Sequence, residues 1–507
     1  MSSHGRGAGT DDSAHTGRGH PRVDWALLLL AGVHVASRLA FWIDGVRFDA
    51  STLPWFWQFL DPAWLRTDLL RSLWYLHAQP PLFNAFLGIV LKLGGDAWVF
   101  PSIYLAAGLA LVGALYAVLR RLGIDRWPAF AVALAYDLSP TAVLYENLLF
   151  YTEFEALALI AAALFLHRLC EGRRTRDAAL FFASIAALAL TRSLFHLIWF
   201  ASCTALAVAA TRPLQRGFLV CCAVASIAVV GLYAKNAWVF GAPSASSWFG
   251  MSLAGLTQRC WPAQELEPLI ARGTVSPLIA IAPFSPLERY PEAMRPRSLP
   301  DVPSLSADRK ASGEPNYNHL AYLAISRQYG LDARTLIRLD PVRYGSCVYD
   351  AMRKFLLPPS LSPRVDANRE VMAGMDLVFD GIAYGVPNAW IVGGGGLRGT
   401  TRDWRSPKVA DGDIGWLWLA AGSLACAYAA FVVRRTWRSA EARLRAQAAV
   451  LAFCLFNIGF VAIVANAVEL GENNRFRVAT EPLVTALIAF AATRIVRGRR
   501  LRSDTRV

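Results

Sequence analysis

The chain has 507 residues, of which 55% are aliphatic, aromatic or cysteine and only 17% charged, with a mean hydropathy of +0.36. A soluble globular domain carries nearer a quarter charged residues, which excludes an ordinary water-soluble chain. The net charge of +14 would suit nucleic acid, but its distribution along the chain assigns it to a membrane.

Residues 1–22, rich in Gly, Ser, His and Arg, read as a disordered cytoplasmic tail. The apolar run from Trp25 to Ile43 is too long for a cleaved signal peptide and reads as a signal anchor. With 24–43 as the first span, further apolar runs fall at 99–119, 127–139, 152–167, 177–191, 194–211, 217–239, 413–433, 446–467 and 477–494. These make about ten spans for a hydrocarbon core of about 30 Å. Arginines cluster in alternate loops: Arg120, Arg121 and Arg126; Arg168, Arg173, Arg174 and Arg176; Arg212 and Arg216; Arg434, Arg435 and Arg438. This is the positive-inside bias, and it puts both termini in the cytoplasm. Counting Pro80–Gly95 as a span would invert that bias, so this stretch reads as a juxtamembrane or re-entrant helix on the outer side.

The fold class is therefore an all-α polytopic membrane protein with juxtamembrane helices in the first outer loop, 44–98. An N-terminal transmembrane module covers 23–239, and a helical and irregular outer segment, 240–412, lies between spans seven and eight. C-terminal helices over 413–496 and a basic tail, 497–507, complete it. Ala- and Arg-rich usage points to a high-GC bacterium, hence a plasma or inner membrane.

The outer loops hold the informative residues. Asp44 and Asp49 follow the first span, then Trp55, Trp57, Trp64 and Trp74 suit helices lying at headgroup depth. In the outer segment a Pro- and Ser-rich half, 241–315, precedes a helical half from Asn316 to Leu357, where Asp340-Pro341 reads as a helix start. Gly393–Gly396 lacks nucleotide-loop spacing and reads as a flexible loop. Cys260 and Cys347 are the two cysteines of this segment; they are a candidate pair in an oxidising compartment, which spacing alone does not establish.

A charge near hydrocarbon needs a partner or a use. Such residues sit at the outer span ends: Glu146 and Glu153, Arg192 and His196, Lys235 and Asn236, then Glu469, Glu472, Arg475 and Arg477. Structural ion pairs are one account of each; gathered at one membrane face, they also make a shared anion site. Arg192, His196, Lys235, Arg475 and Arg477 have the chemistry to hold a phosphate, and a carboxylate such as Asp49 could take a proton from an acceptor hydroxyl.

Several short elements then resemble, in order, the GT-C superfamily of integral-membrane glycosyltransferases, in its protein mannosyltransferase-like branch. They are Asp49 soon after the first span, His77-Ala78-Gln79-Pro80-Pro81-Leu82, Thr152-Glu153, Lys235-Asn236 with Phe240-Gly241, and Arg475-Phe476 with Pro482. The resemblance implies transfer of a sugar from a polyprenyl-phosphate donor to an extracytoplasmic glycan, lipid or protein, at the outer face, with no nucleic acid partner. It implies Asp49 as base, with Asp44 as its alternate. His77, Gln79, Glu146 and Glu153 would shape the substrate pocket. Two residues separate His77 from Pro80 and Ala follows Asp49, where the family has tighter or more acidic patterns. A divalent cation is therefore an open requirement, since one carboxylate is a poor cation site, and no metal ligand set is assigned. The rival readings are a transporter or flippase of lipid-linked glycans, which needs polar residues through the midplane, and a non-catalytic scaffold.

Overall fold

The computed structural model describes residues 24–94, 97–296, 298, 300–391 and 409–504. The tail 1–22, the run Gly393–Gly396 and residues 505–507 lie outside the described residues. Every regular element among those described is helical, and the extended pairings are two isolated bridges, one joining Asp49 to Leu148.

The helices that position the site are α1 (Trp25–Asp44), α2 (Leu82–Lys92), α3 (Val99–Arg121), α4 (Arg126–Asp137), α5 (Pro140–Glu146), α6 (Thr152–Gly172), α7 (Thr175–Thr191), α8 (Leu197–Thr211) and α9 (Arg216–Phe240). In the second half are α10 (Phe249–Cys260), α11 (Ala321–Leu339), α12 (Pro341–Phe355), α13 (Trp416–Thr436), α14 (Ala442–Val468), α15 (Asn473–Val478) and α16 (Glu481–Asp504). Five of them, α1, α3, α9, α13 and α14, are long and apolar enough to cross a membrane. The chain is thus all-α with the makings of an integral membrane protein. The other expected spans are also helices, but α4, α7 and α8 have only 12, 17 and 15 residues. Pro80–Gly95 yields α2, whose 11 residues reach about 16 Å, half a hydrocarbon core.

α6 is the axle of the bundle, packed against α3, α7 and α14. Its Ala- and Leu-rich body has apolar residues on every side, so it is buried all round. Glu153 and Glu155 occupy its first turn, where the helix dipole favours anions. Around it runs one apolar core that includes Leu159, Phe181, Trp199 and Phe453.

A second core sits at the end of the bundle where α6 begins and α9 and α14 finish. It joins the first loop, through Phe56, Phe59 and Leu65, to α10 and α11 of the 240–391 segment. Asp340 caps α12 by accepting from the Arg343 N–H at 2.9 Å, as its Asp-Pro sequence predicts. The Pro- and Ser-rich half is more regular than its composition suggests, because α10 packs backbone to backbone on α11. Gly250 permits this: a Cβ there would lie 1.8 Å from the Ser326 carbonyl oxygen. Cys260 and Cys347 are joined by a disulfide, tying α10 to α12, while the other six cysteines are free thiols.

Candidate active site

A cavity of about 920 Å³ opens where these two cores meet. Its walls come from the turn between α7 and α8 (Arg192, Leu194, His196), the end of α9 (Tyr233), one face of α10, and the end of α14 (Val464, Val468, Glu469). Trp57, Gln58 and Gln79 of the first loop and the turn 282–289 close it. Aromatic rings make much of the surface. Trp57 stacks on Phe284 with centroids 5.4 Å apart, and Trp248 meets Phe284 edge-on at 5.1 Å. Arg192, Arg259, Arg289 and His196 supply cationic or polar nitrogens, and Gln79, Ser246, Ser252 and Gln258 supply neutral polar groups. The volume suits a small polar headgroup, and the rings suit a sugar face or an isoprenoid stem.

The arginines are held by rings and carboxylates together. Arg192 pairs with buried Glu155 at 2.9 Å and lies over the Phe476 ring, 4.4 Å from its centroid. Behind it, Arg475 covers Phe150 at 4.6 Å and pairs with Glu472 at 3.0 Å. Arg364 reaches the same Glu472 at 2.8 Å. Burial opposes ionisation of Glu472, but Arg364 and Arg475 outweigh it and hold its carboxyl below the usual range.

The sequence-predicted residues fall into five groups. Arg192, His196 and Gln79 line the cavity, with Arg475 one layer behind. His77 and Lys235 form a packed knot beside it. Lys235 Nζ donates to the Leu76 carbonyl at 2.8 Å, and the His77 ring meets Phe240 edge-on at 4.9 Å. The His77-to-Leu82 and Lys235-to-Gly241 elements, far apart in sequence, are thus direct neighbours. His77 Nδ1 lies 2.8 Å from Ser247 Oγ, Nε2 is buried without a partner, and burial pushes the ring pKa down to about 3.

Arg477 belongs to neither place. On α15 it stands two residues, hence about 200°, from Arg475, and faces Glu481 at 2.6 Å and the Trp418 ring at 4.1 Å, fully buried. Glu146 and Glu153 belong to a closed cluster in the bundle. Arg38 of α1 grips the Glu146 carboxylate with Nε and Nη2 at 2.9–3.1 Å and Asp137 Oδ1 at 2.9 Å. His34 Nδ1 lies 2.9 Å from Asp137. Gly108 makes room for it, since a Cβ there would lie 2.2 Å from Glu146 Oε2. Charges in the first span were the available signal for His34 and Arg38, which the sequence reading left unassigned.

Asp49 is half-buried and is not among the cavity-lining residues; its carboxylate accepts from the Ser51 N–H at 2.8 Å while its backbone pairs with Asn147 and Leu149. Asp44, the last residue of α1, is exposed. Among the described residues no group of three His, Cys, Asp or Glu is placed to hold a metal ion. The aromatic wall of Trp57, Trp248 and Phe284 carried no motif in sequence. Compared with known proteins, this chain matches no family model, no curated protein and no solved structure.

Proposed function

We propose that this protein is an integral membrane glycosyltransferase of about ten spans that moves a sugar from a polyprenyl-phosphate donor to an extracytoplasmic acceptor. The observation that carries this reading is the cavity of about 920 Å³, lined by aromatic rings and by Arg192, Arg259 and Arg289, at the ends of α9 and α14. Rings and arginines together fit a headgroup that is part sugar and part phosphate, attached to an apolar stem. Gln79, Ser252 and Gln258 would orient sugar hydroxyls, and Arg192 would receive the phosphate charge as the donor bond breaks. The ordered motif resemblance points to the same substrate class.

The test is donor turnover by purified protein with radiolabelled undecaprenyl-phosphate sugars and a crude envelope acceptor, wild type beside Arg192→Met. Labelled product from wild type, lowered at least tenfold in the variant, is the expected result. Binding of undecaprenyl phosphate with no transfer from any donor would instead favour carriage of lipid-linked glycans.

A further inference from the structure

Three carboxylates crowd the Arg192 and Arg475 side of the cavity, and they are not used alike. Glu155 is taken by Arg192 at 2.9 Å, and Glu472 by Arg475 and Arg364 at 3.0 and 2.8 Å. Glu469 accepts no hydrogen bond or ion pair from any described side chain, and it is the one carboxylate among the described residues lining the cavity. Its position is fixed through its backbone. The Glu469 N–H closes α14 onto Ala465, its carbonyl accepts from Asn473 Nδ2 at 2.9 Å, and the Asn473 carbonyl oxygen of the side chain takes the Gly471 N–H at 2.7 Å. An acid without an internal partner, presented by a braced turn into a basic cavity, is built to meet a ligand.

We propose that Glu469 is the general base of the transfer, an inference that rests on the glycosyltransferase reading above. Its carboxylate takes the proton of the acceptor hydroxyl as that oxygen bonds to the anomeric carbon. The bond from that carbon to the phosphate oxygen breaks, and its electron pair leaves with the polyprenyl phosphate beside Arg192. Burial pushes Glu469 above the usual carboxylate range, with Arg475 and Arg192 opposing, which strengthens it as a base. Asp49, the base implied by motif order, does not line the cavity.

The experiment compares wild type, Glu469→Gln, Glu469→Asp and Asp49→Asn in two assays. One is transfer from undecaprenyl-phosphate mannose, glucose and arabinose; the other is binding of radiolabelled undecaprenyl phosphate. Glu469→Gln is expected to lose about 10²–10⁴-fold in kcat, the usual worth of a general base, while binding stays within about threefold. The acid limb of the kcat/KM profile should vanish with it, and Glu469→Asp should restore part of the rate. Wild-type transfer by Glu469→Gln overturns the role of Glu469 alone, and does so most sharply if Asp49→Asn is inactive. Loss of lipid-phosphate binding in Glu469→Gln also overturns it, because the residue would then shape the site. Wild type that binds the lipid phosphate but transfers no sugar overturns the transferase reading, and the role of Glu469 falls with it.

Discussion

Two buried charge assemblies, built from the same residue types, sit in different parts of this bundle and behave oppositely. In the α1–α4–α5 cluster Arg38 is saturated: its three nitrogens reach Glu146, Asp137, the Asp137 carbonyl and Ser37 Oγ. None of its members lines the cavity. At the other site the arginines are equally buried, but their partners leave a surplus. Glu155 and Glu472 are engaged, whereas Glu469 and one face of Arg192 look into open volume. Burial of charge therefore does not mark a binding site by itself. What marks it is charge that the fold positions and does not consume. An arginine so consumed can only lock helices together; charge left facing open volume is available to a ligand.

This contrast breaks most easily at Arg38. Arg38→Met should leave Asp137 and Glu146 buried without their cation and cost about 3–5 kcal/mol, read as lost thermal stability in detergent. If the variant is as stable as wild type, the cluster is no lock. The next effect concerns the roof of the cavity. Cys260→Ser should release the tie between α10 and α12 and cost about 2–4 kcal/mol, measured as the same shift on reduction of wild type.

His77 gives a pH-dependent effect beside the cavity. Its folded-state pKa, pushed down to about 3, lies below the unfolded value of about 6.5, so the unfolded chain binds the extra proton. The contribution is neutral above about pH 6.5 and becomes destabilising as pH falls from there towards 3, on the order of 2 kcal/mol by pH 5. A His77→Asn protein should show a flatter stability profile over that window; an unchanged slope would assign the acid sensitivity elsewhere. The smallest effect is the most informative about the comparison. Glu469→Gln removes no ion pair to a described side chain and should change thermal stability by less than about 1 kcal/mol, whereas Glu146→Gln removes the charge that accepts three hydrogen bonds from Arg38 and should cost several times more. Equal losses would erase the distinction between the two assemblies.

Much of the scaffold was legible from local pattern. Apolar run length placed the helices, Asp340-Pro341 marked a cap, and Pro80–Gly95, read from arginine placement as a juxtamembrane or re-entrant helix, forms a helix of 11 residues. These properties depend on residues within a turn or two of each other, which composition and periodicity report. The motif residues Gln79 and Phe476 and the span-end residues Arg192 and His196 all line the cavity.

The partnerships were settled only in three dimensions. Arg475 and Arg477 look equivalent in sequence, yet the turn of a helix sends one towards Glu472 and the other to Glu481 and Trp418. Glu146 is claimed by an arginine 108 residues earlier, and the aromatic wall joins Trp57 to Phe284 across more than 200 residues. Cysteine spacing left the Cys260–Cys347 bond open, because it is the packing of α10 on α12 that brings the two together. Hydropathy decides which residues leave water, a local and additive property. Which buried charge meets which is decided by helix rotation and packing, and that also decides which carboxylate faces the cavity.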